Sequence, residues 1–322
     1  MLQIKNIIIL ILKAVSVVTL LALLASAFSD RVSPYTCIWL QYSGLFFPFI
    51  LWFNVFLFIL FLFLRKWKTS LIFTAVFLIC FDSIHTYFPF HSRTENLPEG
   101  CIKILSYNVM RFEYMQKHTE KHPNPIIRYI LDQDADIICI QEYGAWVNDN
   151  KKFISRDDIR RIFKSFPYVH IEPFKPSRPE FTFGSAVFSK YPILKTKKIP
   201  YDSEYNGSFI TELDIRGKKV TLINNHLESN KLSEEERTGY YDLTKNIDTE
   251  KLENFTNTMF RRLTPAYKSR ALQAQLIDKA IREDKNPYII VCGDFNDTPV
   301  SYARHKIKGR LKDAFVSSGN GM

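Results

Sequence analysis

Three long apolar runs crowd the first 90 residues of the chain, at about 7–28, 45–64 and 71–88, and they constrain it more than any other feature. A helix that crosses a bilayer needs about 20 apolar residues, because its backbone polar groups must be satisfied within the segment itself. Lys13 and a few small polar residues interrupt the first run, Asn54 the second, and Asp82 and His85 weaken the end of the third. A cleaved signal peptide would account for the first run but not for the two behind it. About three transmembrane helices are therefore expected, forming an anchor over residues 1–90.

Basic residues set the expected orientation. Lys5 precedes the first run and "RKWK" (65–68) separates the second from the third, whereas the first loop carries only Arg31 beside Asp30. The positive-inside rule places the amino terminus and "RKWK" in the cytoplasm, with Trp67 as an interfacial anchor. An odd number of spans then leaves everything after about residue 90 on the extracytoplasmic side of a cytoplasmic membrane. The net charge of +10 divides into +3 for residues 1–99 and +7 for 100–322. Such an excess suits a polyanionic substrate or an anionic membrane surface and identifies neither. Cys37 and Cys80 lie in or near the spans, and Cys101, Cys139 and Cys292 are far apart without partner histidines. That spacing reads as unpaired thiols, not as a disulfide framework or a zinc site.

After a polar linker, "HSRTENLPEG" (91–100), the pattern becomes that of a mixed α/β domain over 101–322. Strands are expected at 101–109, 135–142, 168–174 and 183–190, and a hairpin at 208–227 turns at Arg216-Gly217. Helices are expected at 123–133 and 156–166. A charged helical stretch follows over 233–284, broken at Pro265, and its first part, to about 263, reads as an insertion.

Four strands are apolar until a residue that can do chemistry. "LSYNVM" ends in Asn108, "ICIQE" in Glu142, "LINNHLES" in Asn224 and His226, and "VCGDFND" in Asp294 and Asn296. In the last, Gly293 frees the backbone where the strand stops, and Asp297 reads as a turn residue. The set is rich in oxygen, holds one imidazole and suits Mg²⁺ or Mn²⁺. Glu142 is the natural metal ligand, and Asn108 could hold a metal-bound water or a phosphate oxygen. Asp294 and Asn296 could orient the attacking water. His226, if protonated, could donate to a phosphoryl oxygen as charge builds. Singly, each is equally well a structural strand-end or turn residue; together they fit hydrolysis of a phosphate ester.

The order "LSYNV", "DIICIQE", "GSAVFSKYPI", "NNHLES", "R-x-L-Q" (270–273) and "GDFNDTP" resembles the endonuclease/exonuclease/phosphatase superfamily of DNase I-like hydrolases, over about residues 101–315. The membrane-anchored layout resembles a bacterial branch of it. The resemblance implies a four-layer α/β sandwich and divalent-metal hydrolysis of phosphodiesters or phosphomonoesters. It implies metal-site roles for Asn108 and Glu142, a phosphate contact for His226, and catalytic roles for Asp294 and Asn296. The family pattern closes with a late Ser-Asp-His. Here the last histidine is His305, in a basic stretch, and the sequence stops at Met322, so the domain is expected to be C-terminally incomplete, as in a fragment of a longer chain.

Three functions are consistent with these features: a nuclease-like phosphodiesterase, the same chemistry on a lipid head group or small phosphate ester, and a degenerate binding domain. The intact site set weighs against the third. "FKPSRPEF" (174–181) and "RHKIKGR" (304–310) are candidate nucleic-acid contacts, though a charge run is equally a solvated face. The topology has a direct test. Fusions after Gly100 should give active alkaline phosphatase and dark green fluorescent protein; the reverse would mean that a span was miscounted.

Overall fold

The structure, a computed structural model, describes residues 2–92, 98–174, 179–231 and 249–321. The middle of the 91–100 linker, part of "FKPSRPEF" and residues 232–248 of the expected insertion lie outside the described residues. The chain divides into two compact units, one of residues 1–95, 263–275 and 297–322, the other of 96–262 and 276–296.

In the first unit the apolar runs form α1 (Leu2–Ala27), α2 (Ile38–Leu45), α3 (Phe47–Phe63), α4 (Trp67–Ile79) and α5 (Phe81–Tyr87). Residues Gln3–Ala27 are long and apolar enough to cross a membrane. The other two runs are not straight: α2–α3 bends by 62° and α4–α5 by 66°. By length and composition the described residues therefore hold one spanning helix, or up to three if each bent pair is one span. The breaks have local causes. Proline sits in the first turn of α3, where it starts a helix more readily than it continues one, and Asp82 opens α5 as a first-turn acid. Asn54 is buried but satisfied. Its Nδ2 donates to the carbonyls of Ile50 (2.8 Å) and Thr19 (3.1 Å), and Thr19 Oγ1 donates to its Oδ1 (3.0 Å).

In the second unit the β-branched runs become strands of two four-stranded sheets among the described residues. The first holds β1 (Ile104–Asn108), β2 (Ile137–Trp146), β3 (Tyr168–Pro173) and β4 (Phe181–Ser189) in the order β1-β2-β4-β3, with β1 and β2 parallel. The second holds β5 (Ile193–Ile199), β6 (Gly207–Ile215), β7 (Lys218–His226) and β8 (Tyr288–Asp294) in chain order, with β7 and β8 parallel. The β6–β7 turn at Arg216 (φ 55°) and Gly217 (φ 78°) has the left-handed pair that a two-residue hairpin demands. Strand β5 is not among the strands expected from sequence, because three lysines in "ILKTKKI" disguise an edge strand as a charged loop.

Alternation along β2 sorts its side chains. Ile137 and Cys139 face Phe209, Leu213 and Leu222 of the second sheet. Ile138 and Ile140 face the other way, against Ile127, Ile130 and Ile159, which belong to α6 (Pro125–Asp132) and α7 (Arg156–Ile162). Asn124 caps α6 through Oδ1, and Ser155 with Asp158 forms a capping box on α7. The final turns of α8 (Thr249–Glu283) line the second sheet with Leu276 and Ala280. Helices, sheet, sheet and helix make the four expected layers. Pro265 does not break α8, contrary to the expectation from sequence: it removes one rung of the ladder, which a 35-residue helix survives.

The β2 strand does not end at Glu142. Its pairing with β4 shifts between Ile140 and Tyr143, so that Gln141 and Glu142 form a bulge, with Glu142 at φ 52°. Asn224 of β7 reaches across the sheets and donates to the carbonyls of Ile140 (3.2 Å) and Ala186 (3.1 Å), while its Oδ1 accepts from Gln141 Nε2 (2.7 Å). Asn224, grouped by sequence with His226, is thus a cross-sheet tie. Asn224→Leu would remove all three cross-sheet hydrogen bonds and should destabilise the protein by about 1–3 kcal/mol, measured by urea unfolding.

In the first unit, α9 (Tyr302–Lys308) and α10 (Ala314–Ser318) follow residues 297–301. The "RHKIKGR" stretch is therefore mostly helix. Tyr42 Oη lies 2.7 Å from Thr264 Oγ1, and its ring meets Tyr267 edge-on at 5.7 Å. His305 Nδ1 lies 3.2 Å from Asp30 Oδ2.

Candidate active site

Asn108, at the end of β1, is the hub of the site. Its Nδ2 donates both to Glu142 Oε1 (3.0 Å) and to Asp294 Oδ2 (2.9 Å), and its Oδ1 accepts from the Met110 amide (3.1 Å). One amide thus ties the bulge of β2 to the end of β8. His226 completes the cluster, with Nε2 3.8 Å from Glu142 Oε1 and its backbone in register with Asp294. Asn296, at φ 51°, donates its amide to Asp294 Oδ1 (2.9 Å) and its Nδ2 to the Leu227 carbonyl (2.9 Å). The five residues singled out by sequence therefore converge.

Gly293 makes this convergence possible. At φ 133° its missing Cβ would lie 2.0 Å from the Asn225 carbonyl, so any side chain would push β8 off β7. The same economy recurs at Gly144, where a Cβ would lie 2.8 Å from Cβ of Arg111. Residues 110–115 form a left-handed turn, held by Asn124 Nδ2 on the Phe112 (2.9 Å) and Gln116 (3.1 Å) carbonyls. That turn brings Arg111 to the site.

Glu142, His226 and Arg111 line a cleft of about 840 Å³ whose other walls include Trp146, Phe183 and Tyr205. Sequence reasoning missed Arg111 and the aromatic wall; its only signal was the place of Arg111 three residues after Asn108. His226 is 3% exposed, and neither ring nitrogen has a hydrogen-bond partner. Burial pushes its pKa below the usual histidine value, against the opposing pull of Asp294, Glu142 and Glu228. The protonated His226 considered from sequence is thus disfavoured. The neutral ring still carries one N–H to donate.

The fit to a metal ion rests on a single carboxylate in the cleft. Among the described residues no group of three or more His, Cys, Asp or Glu side chains is arranged to hold one. Mg²⁺ asks for less: one or two carboxylates and several waters. Glu142 is 30% exposed in the cleft and fits as such a ligand. Asn108 is engaged in holding the two carboxylates.

Asp297 is not the plain turn residue expected from sequence. Its side chain is 4% exposed and pairs with Arg270, 1% exposed, at 3.0 Å. Burial pushes the carboxyl up and the guanidinium pulls it back.

Residues 105–321 match the model of the Endonuclease/Exonuclease/phosphatase family, and the chain belongs to that family. Residues 6–87 match a domain of unknown function. No curated protein sequence matches the chain. Among solved structures it is similar to a double mutant of beta toxin from Staphylococcus aureus with bound magnesium ions, at 17% identity and a TM-score of 0.41, over 66% of this chain and 71% of that one. It is also similar to humanized TDP2 from D. rerio (12% identity, TM-score 0.36, 65% of this chain and 66% of that one) and to TDP2 from C. elegans (19%, 0.37, 63% and 50%). The chain spans half to two thirds of the length of those TDP2 structures.

The two aspartates should separate in a thermal melt. Asp297→Asn removes the buried negative charge that faces Arg270 and should cost about 3–5 kcal/mol of stability. Asp294→Asn, at the half-buried rim, should melt close to wild type.

Proposed function

We propose that this protein hydrolyses phosphodiester bonds with the help of a divalent cation, Mg²⁺ or Mn²⁺, and that its N-terminal helices hold it on a membrane. The convergence of Glu142, Asp294 and His226 around Asn108 beside one cleft carries the reading. Glu142 would hold the cation, which when bound would polarise the phosphoryl oxygen. Asp294 accepts a hydrogen bond from the attacking water and draws off its proton as the new P–O bond forms; the opposite P–O ester bond breaks, and the departing alkoxide takes a proton from solvent water. Asn108 and the Asn296 amide fix that carboxylate in place. His226, kept neutral by burial, donates its N–H to the phosphoryl oxygen as negative charge develops.

Membrane attachment rests on the outward faces of α1 and α3, where Leu10, Val18, Phe49, Phe56 and Phe63 are exposed. Apolar surface on that scale suits hydrocarbon better than water. The substrate is a nucleic acid, a lipid head group or a small phosphate ester, and panels of DNA, sphingomyelin and phosphoinositides separate them.

Turnover measured against metal concentration tests the chemistry. Glu142→Gln should raise the Mg²⁺ needed for half-maximal rate, with Mn²⁺ restoring part of the loss. Asp294→Asn should lower kcat by ~10²–10⁴-fold at saturating metal. Unchanged metal dependence in the first variant would remove Glu142 from the metal site.

A further inference from the structure

The cleft beside the proposed hydrolytic group carries more structure than hydrolysis needs. Trp146 is braced from behind by Phe153, its ring nearly parallel at 9° and 5.6 Å between centroids. Phe183 is held edge-on by Phe174 at 6.1 Å and by Tyr205 at 6.4 Å, and Tyr205 is itself 45% exposed. Trp146, Phe183, Tyr205 and Glu142 line one cleft. Braced aromatic rings offer flat faces at little entropic cost, because few rotamers remain to be frozen.

Arg111 adds a charge to this wall. The absent side chain of Gly144 lets its Cβ sit against the strand, and its guanidinium lies 4.9 Å from the Tyr114 ring centre. Among the described residues Arg111 has no carboxylate partner. A cation without an acid, in a cleft with Glu142 and His226, suits a phosphate oxygen. Glu180 is exposed at the same cleft. Its charge disfavours a second phosphate there, so the subsite suits a ring, not a continuing chain of phosphates.

We infer that Arg111, Trp146, Phe183 and Tyr205 form a specificity subsite for a phosphate ester bearing a planar aromatic ring. Arg111 takes a phosphate oxygen and the rings stack on the substituent. The inference rests on the hydrolase reading for the position of the phosphate. Its test reads binding, so it stays distinct from a failure of catalysis.

The full-length protein in detergent with magnesium chloride would be titrated calorimetrically with inorganic phosphate, phenyl phosphate, hexyl phosphate and thymidine 5′-phosphate. A ring stacked on these faces gains contact that a flexible alkyl chain does not, so phenyl phosphate should bind about tenfold tighter than hexyl phosphate. Trp146→Ala and the exposed Tyr205→Ala should each shrink that preference. Arg111→Met should weaken all four ligands about equally. Thymidine 5′-phosphate binding above phenyl phosphate would mark the ring as a nucleobase, and the reverse order would mark it as a simple aryl ester. Hexyl phosphate binding as tightly as phenyl phosphate would overturn the inference, as would a preference that survives both ring variants.

Discussion

The side-chain amide of Asn224 is the tie on which the site depends. A bulge in β2 leaves two residues facing one, and ladder groups near it lose their usual partners. Buried carbonyls without partners cost free energy, and Asn224 meets two of them from the opposite sheet while accepting from Gln141. The sheets are thereby joined at the level where β2 turns Glu142 out of the ladder. Without that tie the bulge would be a defect in the strand. With it, Glu142 takes a left-handed conformation and faces the cleft.

Asn108 then does at the strand ends what Asn224 does one layer deeper. Two carboxylates brought to one amide would repel each other, and a shared N–H donor group offsets part of that repulsion. His226 sits beside them with both ring nitrogens buried and unpartnered. Groups left in that condition carry free energy that a substrate or an ion can release. Burial and charge pull the imidazole in opposite directions, and burial prevails.

The unit that holds the apolar helices has its own polar lock. Asp297 and Arg270 are nearly inaccessible to water, and Tyr87 and Tyr267 stand close enough to feel the aspartate's charge. Burying an ion pair is costly unless its partners are well placed. The pair joins segments 27 residues apart in sequence, one of them the turn that follows "GDFN". The neighbouring residues of one motif thus have unlike surroundings: Asp294 and Asn296 belong to the candidate site, and Asp297 is buried against Arg270.

Much of the fold and of the site is legible in the amino-acid sequence. Apolar run length marks α1, and the β-branched runs leading to Asn108, Glu142, His226 and Asp294 mark the strands and the candidate site, although β2 continues past Glu142, because burial on both faces of a sheet leaves a continuous signature. Arg216-Gly217 marks its hairpin because only a left-handed pair turns that tightly. What sequence could not show depends on pairing across distance. The bulge at Glu142 exists only in the register of β2 against β4, the burial of Asp297 only against Arg270, and the reach of Arg111 only over Gly144. Local composition determined which residues could act; contacts between distant strands decided which of them face the cleft, since no residue carries its partner's position in its own neighbourhood.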